Sequence, residues 1–355
     1  MILDLIIEEI KKGTVFTDIL VRTDDPLMIC TPMGWVTCSD EVLSKNDVED
    51  FILNMFGDEN WKTRIDQNNG SEDIAKTING IARLRANIFT CGDSEKKYAV
   101  AIRKLPLKIP NAVEIGFPEN IITLISKTKG LWLVTGPTGN GKSTTIATTL
   151  NNINNNESKH ILTIEQPIEY VYHPTKSIIT QREVGNHIPN FGAGLHGALR
   201  QRPDVIMLGE IRDQESLESM MLAAESGHLV ISSSHAKNVE DTLIKISGFF
   251  SENRESKLQT LSMTLAGVIS QRLLPSIDKK HLILAYEIFI NNPDARQLIR
   301  KDEIHKINQN INEHRKEGSI SLNTTLTTLY KDKKIDARTA EDASYDKINL
   351  RNNLY

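Results

Sequence analysis

Apolar positions follow two regimes along the chain. In the first third they come in short amphipathic units. Residues 2–10 carry Leu3, Ile6, Ile7 and Ile10 at the spacing of one helix face, with Gly13 placed to end the helix. Residues 14–22, 26–31 and 34–37 are strand-like pieces punctuated by Asp24-Asp25-Pro26 and Met33-Gly34, and 47–56 reads as a second helix. In 81–90 and again in 98–105 side-chain character alternates with period two, the pattern of neighbouring strands joined around Gly92-Asp93-Ser94. That pairing leaves Arg83, Arg85, Asn87 and Arg103 on or near one sheet face. Prolines at 106 and 110 mark an extended connection. The patterns predict a small α+β domain over 1–107, a linker at 108–112 and a second domain over 113–355.

The second domain has continuous apolar runs instead. Those at 130–135, 160–165 and 205–210 are short and unalternating, as strands buried on both faces must be, and 228–235 is a further strand-like run with Leu229, Val230 and Ile231 at its start and a histidine at each end. Helical spacing at 216–224 and 241–249 separates some of them, predicting an α/β architecture: a parallel sheet with crossover helices and ligands at the carboxyl ends of its strands. Leu258, Leu261, Leu265, Val268 and Ile269 predict one amphipathic helix ending at 271–275. Residues 281–290 read as a strand, 295–300 open a helical C-terminal region, and the asparagine-rich 151–156 read as a solvated helix end and loop.

Composition narrows the class. The length of 355 residues fits two domains, and 39% hydrophobic with 25% charged residues describes an ordinary soluble globular protein. A net charge of -4 with no long basic run gives no footprint for non-specific nucleic-acid binding, and 5% aromatics leave few stacking platforms for a nucleic-acid translocase. Cys30, Cys38 and Cys91 form no Cys-x-x-Cys pair, which argues against structural zinc and a disulfide framework and fits a reducing cytoplasm. Asp4, Glu8 and Glu9 in the first turns are foreign to a signal peptide. No apolar stretch approaches membrane-spanning length, so no transmembrane segment is expected and any membrane association would be peripheral.

The chemistry centres on the turn after the run at 130–135: Gly136-Pro137-Thr138-Gly139-Asn140-Gly141-Lys142-Ser143-Thr144. Three glycines let backbone N–H groups converge on phosphate oxygens, and the helix starting near Lys142, with Ile146, Leu150 and Ile153 on one face, adds its positive N-terminal end. In such a loop the lysine reaches the β- and γ-phosphates of ATP and the hydroxyl of Ser143 ligates Mg²⁺. Glu210, emerging from a buried strand after Gly209, suits a carboxylate that holds the metal's water shell or orients the attacking water; the glycine lets the strand end approach a ligand. Glu165 ends another strand, either positioning metal or water or simply standing at a solvated strand end. His228 and His235 border the run between them as structural residues, as γ-phosphate sensors or as a bridge between Glu210 and Glu165. Arg83, Arg85 and Arg103 are a solvated sheet face or a supply of guanidinium for the transferring phosphate. A small-molecule kinase would share the loop and differ in its phosphoryl acceptor.

Beyond the loop, Thr163-Ile-Glu-Gln-Pro-Ile-Glu-Tyr-Val, Gln181-Arg-Glu-Val-Gly, Ala198-Leu-Arg-Gln-Arg-Pro-Asp-Val-Ile-Met-Leu-Gly-Glu-Ile-Arg-Asp and Ala223-Ala-Glu-Ser-Gly-His-Leu-Val resemble, in this order, the secretion ATPase superfamily of type II and type IV systems. Within it the chain is most similar to the retraction ATPases of type IV pili. The resemblance covers nearly the whole chain. It implies a PAS-like N-terminal domain, a RecA-like P-loop ATPase domain and a homohexameric motor in the cytoplasm, docked peripherally on an inner-membrane platform protein. It further implies that Lys142 and Ser143 bind phosphate and Mg²⁺, that Glu210 is the Walker B carboxylate, that Glu165 belongs to the Asp box and His228 and His235 to the His box, and that Arg83, Arg85 and Arg103 face nucleotide. ATP would close the two domains together and hydrolysis reopen them. Two positions depart from the family pattern: Glu-Asp-Pro-Ile-Glu becomes Glu165-Gln166-Pro167-Ile168-Glu169, and Leu-His-Thr becomes Ser234-His235-Ala236. Extension motors usually carry a four-cysteine zinc insertion, whereas no cysteine follows Cys91 here. Residues 295–301, Ala-Arg-Gln-Leu-Ile-Arg-Lys, resemble the retraction signature Ala-Ile-Arg-Asn-Leu-Ile-Arg-Glu with a shifted match. A motor for a related secretion or conjugation-like system, or for pilus assembly, is the alternative.

Overall fold

Alternation in the N-terminal third builds an antiparallel sheet with one buried face. The computed structural model describes residues 2–354 apart from 15, 17, 32, 33, 58, 79, 93, 94 and 106; Met33, Asp93, Ser94 and Pro106, at which turns or a linker are expected, therefore lie outside the described residues. The chain divides into two compact units, Met1–Lys108 with Pro167–Val171, and Ile109–Gln166 with Tyr172–Tyr355. The first contains α1 (Ile2–Lys11), β1 (Asp18–Arg22), β2 (Pro26–Thr31), β3 (Gly34–Val42), α2 (Lys45–Phe56), α3 (Trp61–Gln67), β4 (Ser71–Ile78), β5 (Ala82–Cys91) and β6 (Lys97–Leu105). Its sheet runs β3-β2-β1-β6-β5-β4. Leu84, Ala86 and Ile88 of β5 and Val100 and Ile102 of β6 are buried in one core with Ile2 and Ile6 of α1, Phe51 and Ile52 of α2 and Ile65 of α3. A full capping box at Ser44 and Asp47 starts α2, and left-handed Gly57 ends it. The expected pairing of β5 with β6 is present, with Arg85 opposite Arg103.

The second unit holds α4 (Ala112–Ile115), α5 (Glu119–Lys127), β7 (Gly130–Thr135), α6 (Lys142–Asn156), β8 (His160–Glu165), β9 (Ile178–Glu183), α7 (Phe191–Ala198), β10 (Val205–Glu210), α8 (Gln214–Glu225), β11 (Leu229–Ser234), α9 (Val239–Gly248), α10 (Arg254–Thr264), β12 (Leu265–Pro275) and β13 (Leu282–Ile290). Five α-helices follow among the described residues: α11 (Pro293–Arg300), α12 (Ile307–Glu313), α13 (Leu322–Lys331), α14 (Ala337–Ala343) and α15 (Lys347–Leu354). The sheet order is β13-β12-β7-β11-β10-β8-β9, parallel throughout except for the antiparallel β12–β13 hairpin at one edge. All six residues of β7 and of β11 are buried. Ser232 and Ser233 tolerate that burial by donating to the carbonyls of Leu208 and Gly209 on β10, at 2.8 and 2.6 Å.

Several expectations are corrected. The predicted helix over 258–275 stops at Thr264, and Leu265–Pro275 is a strand between β7 and β13. A strand buried on both faces shows no alternation, so its apolar run mimics helical spacing. Residues 34–37 are the start of a longer β3, and α3, β4 and β9 arise where no pattern announced them. The asparagine-rich 151–156 are the end of α6, as expected, but all of them are helical and none forms a loop. Asn154 is fully buried, donating to the His173 carbonyl at 2.9 Å and accepting Thr175 N–H at 3.0 Å, a fixed bracket for the connection to β9.

Gly267 is where β12 passes Trp132: an added Cβ would stand 2.5 Å from the indole and 2.6 Å from the Phe289 carbonyl. Gly267→Ala is expected to lower unfolding free energy by about 1–3 kcal/mol, measured by denaturant titration.

Candidate active site

Parallel pairing delivers the functional side chains to one end of the sheet. In the order β7, β11, β10, β8, the carboxyl ends lead into the glycine loop, His235, Glu210 and Glu165. The loop is shaped by its glycines. Gly139 and Gly141 take left-handed φ of 79° and 76°, and Gly141 occupies the N-cap of α6. Lys142 opens the helix and is 8% exposed, its ammonium donating to the carbonyls of Gly136 and Pro137 at 2.9 and 3.1 Å. Ser143 and Thr144 follow in the first turn of α6.

His235 joins the loop to Glu210. Its Nδ1 lies 3.4 Å from Lys142 Nζ and its Nε2 lies 3.2 Å from Glu210 Oε2. An ammonium can only donate, so Nδ1 accepts and Nε2–H donates to the carboxylate; this tautomer is assigned from the partners. Burial and the neighbouring Lys142 cation hold the imidazole below its ordinary pKa, and the Glu210 carboxylate opposes them. Glu210 also pairs with Arg212, whose Nη1 is 3.4 Å from Gln166 Oε1 and whose guanidinium lies over Phe191. Gln166 is the residue standing where the family pattern has Asp. The register of β10 against β11 shifts between Leu208 and Glu210, setting Glu210 opposite Ser233. Such an irregularity re-aims a side chain beside a site. Packing does not require glycine at 209: a Cβ there would meet only ordinary contacts, 3.5 Å or more away.

Glu165 is buried, accepting from Thr163 Oγ1 at 2.7 Å and Gln181 Nε2 at 3.4 Å. The histidine bridge therefore joins Lys142 to Glu210, not Glu210 to Glu165. His228 is not part of it: it precedes β11 at the opposite end from His235 and bonds the Ala223 carbonyl at 2.9 Å and Ser226 Oγ at 3.1 Å. In the first unit, Arg83 is buried and donates to Thr77 Oγ1 at 3.1 Å and to the Ile168 carbonyl at 2.8 Å. Arg85 stands 3.8 Å from both Asp73 and Glu169, and Arg103 pairs with Asp18 at 2.9 Å. Arg83 therefore binds residues 167–171 into the first unit, a grouping no local pattern indicates. Gln181 and Arg212 lie inside motifs quoted from the sequence but receive no role there, and Gln271 reads only as part of a helix end; their contacts show only once the strand ends are in place.

Because Lys142 lowers and Glu210 raises the His235 pKa, Lys142→Met is expected to raise it and Glu210→Gln to lower it further. A histidine NMR titration of the two variants reads both directions; equal values would contradict the bridge.

The family described as "Type II/IV secretion system protein" matches residues 99–347. The chain is 35% identical over 312 residues to a twitching motility protein of Neisseria gonorrhoeae, covering 86% of this chain and 82% of that one. Its fold is similar to a crystal structure of the pilus retraction motor PilT with bound ADP, at a TM-score of 0.86 and 37% identity over 98% of this chain and 99% of that one. It also shares the fold of the Legionella pneumophila ATPase DotB, with a TM-score of 0.82 over 96% and 94% of the two chains at 24% identity. With a RecA-like domain whose strand ends gather the glycine loop, Lys142, His235 and Glu210, the chain belongs to the type II/IV secretion ATPase family and is an ATPase.

Proposed function

We propose that this ATPase is a hexameric cytoplasmic motor that powers retraction of type IV pili, docked peripherally on an inner-membrane platform protein. The similarity to the PilT retraction motor, end to end in both chains, carries this reading. No described helix is long and apolar enough to cross a membrane, which is compatible with peripheral docking.

The site residues receive these roles by proposal. Residues 136–144 cradle the phosphates, with Lys142 reaching the β- and γ-phosphates. Ser143 and Glu210 offer the hard oxygen donors that suit Mg²⁺, so they would hold it, and the ion when bound neutralises phosphate charge. A γ-phosphate competes for the Lys142 ammonium, which otherwise rests on two loop carbonyls and on His235. Once Lys142 turns to phosphate, His235 loses the cation that depresses its basicity and takes a proton more readily. Glu210, held by the imidazole Nε2–H, orients the attacking water. Glu165, fixed by Thr163 and Gln181, stands as a second carboxylate. Arg83, Arg85 and Arg103 are the proposed guanidiniums for the γ-phosphate; each has partners to leave, Arg83 Thr77 and Ile168, Arg85 Asp73 and Glu169, and Arg103 Asp18.

Lys142→Ala is expected to abolish nucleotide binding. Glu210→Gln should keep binding while hydrolysis falls at least about 100-fold, measured as phosphate release. In a deletion strain, surplus surface fibres with lost twitching support retraction, whereas absent fibres would assign the motor to assembly.

A further inference from the structure

Strand β12 outruns its neighbour. β7 pairs with it only to Thr135, opposite Ser270, while β12 continues to Pro275 with β13 on its other side. Beyond Ser270 the glycine loop takes the place of a strand on the open edge. Asn140 Oδ1 accepts Leu273 N–H at 2.8 Å, where a ladder carbonyl would stand, and Gln271 Nε2 donates to the Asn140 carbonyl at 2.6 Å. The Asn140 amide meanwhile donates to the carbonyls of Pro137 and Thr138 at 3.3 and 3.2 Å. One side chain thus ties the turn of the loop to itself and to the sheet. The fit is close: a Cβ on Gly136 would lie 2.4 Å from the Gln271 carbonyl, at a φ of 149° that side chains rarely adopt.

Gln271 is an odd choice for packing alone. It is 1% exposed, and its Oε1 has no hydrogen-bond partner among the described residues. Burying an unsatisfied acceptor works against stability, and an aliphatic side chain would avoid it. What the amide provides is the donor to Asn140.

We propose that Gln271 and Asn140 are positioning residues for nucleotide: by docking the loop on the free edge of β12 they hold its phosphate-binding curvature before ligand arrives. The proposal rests on the reading of residues 136–144 as the ATP cradle. A loop already curved spends less of its binding free energy on ordering, so the pair acts on affinity. Because both side chains serve one constraint, removing either releases the loop.

The test uses the full chain with a fluorescent ATP analogue and Mg²⁺. Asn140→Ala and Gln271→Leu are each expected to raise Kd about tenfold, with KM rising by more than kcat falls, and the double variant should bind about as weakly as either single one. Asn140 sits on an accessible loop, so its variant decides the matter should Gln271→Leu fail to fold. Unchanged Kd in Asn140→Ala, or additive effects in the double variant, would overturn the proposal. Lys142→Ala separates the two levels. If it abolishes binding while Asn140→Ala does not weaken it, only the positioning role fails; if it binds normally, the ATP cradle itself is wrong.

Discussion

The contact between Lys142 and His235 is the constraint on which the rest of the site depends. It exists because β7 and β11 are adjacent and parallel, with Thr135 opposite Ser234, so that the residues leaving the two strands emerge side by side. The next strand, β10, adds Glu210 to the same row through the register shift after Leu208. A cation, an imidazole and a carboxylate are then in line. Each is set by its neighbour: Lys142 adds to burial in lowering the basicity of the imidazole, and the imidazole directs its Nε2–H to the carboxylate. Under the proposed roles, charge arriving at Lys142 is felt through His235 at Glu210.

The sheet supports this at some expense in polar burial. Three serines end β11 inside the core, and two of them bond the carbonyls of β10, stitching together the strands that carry His235 and Glu210. Thr135 does the same one strand over, donating to the Ser234 and Ala236 carbonyls at 3.3 and 3.4 Å, and so fixes the chain on either side of His235. These hydroxyls keep the strand ends from splaying, and β12 supports the loop from the other side.

Much of this was legible in the sequence, for identifiable reasons. The glycine loop declares itself because only glycine reaches the backbone angles it needs, and the buried strands β7, β8 and β10 because short, mostly apolar, unalternating runs have few other uses; β11 shares the pattern in Leu229, Val230 and Ile231. The facing of Arg85 and Arg103 follows from strict alternation in two consecutive strands. What stayed hidden depends on distant partners. β12 looks helical until its two neighbouring strands are known, β4 alternates too weakly to declare a strand, and the buried Asn154 is indistinguishable from its solvated neighbours in an asparagine-rich stretch. His228 and His235 look equivalent as flanks of one strand-like run; strand direction sends one to the glycine loop and the other to the opposite end. Gln271 carries no motif, and its role appears only once β12 is seen to outlast β7.

The central claim is that phosphate engagement at Lys142 is transmitted to His235. The most direct measurement is the His235 imidazole titration by NMR in the unmodified full chain, with and without a non-hydrolysable ATP analogue and Mg²⁺. The account predicts that the depressed pKa of His235 rises when nucleotide binds, because the cation that lowers it is drawn away. A His235 pKa that stays where it was while nucleotide is demonstrably bound would contradict it.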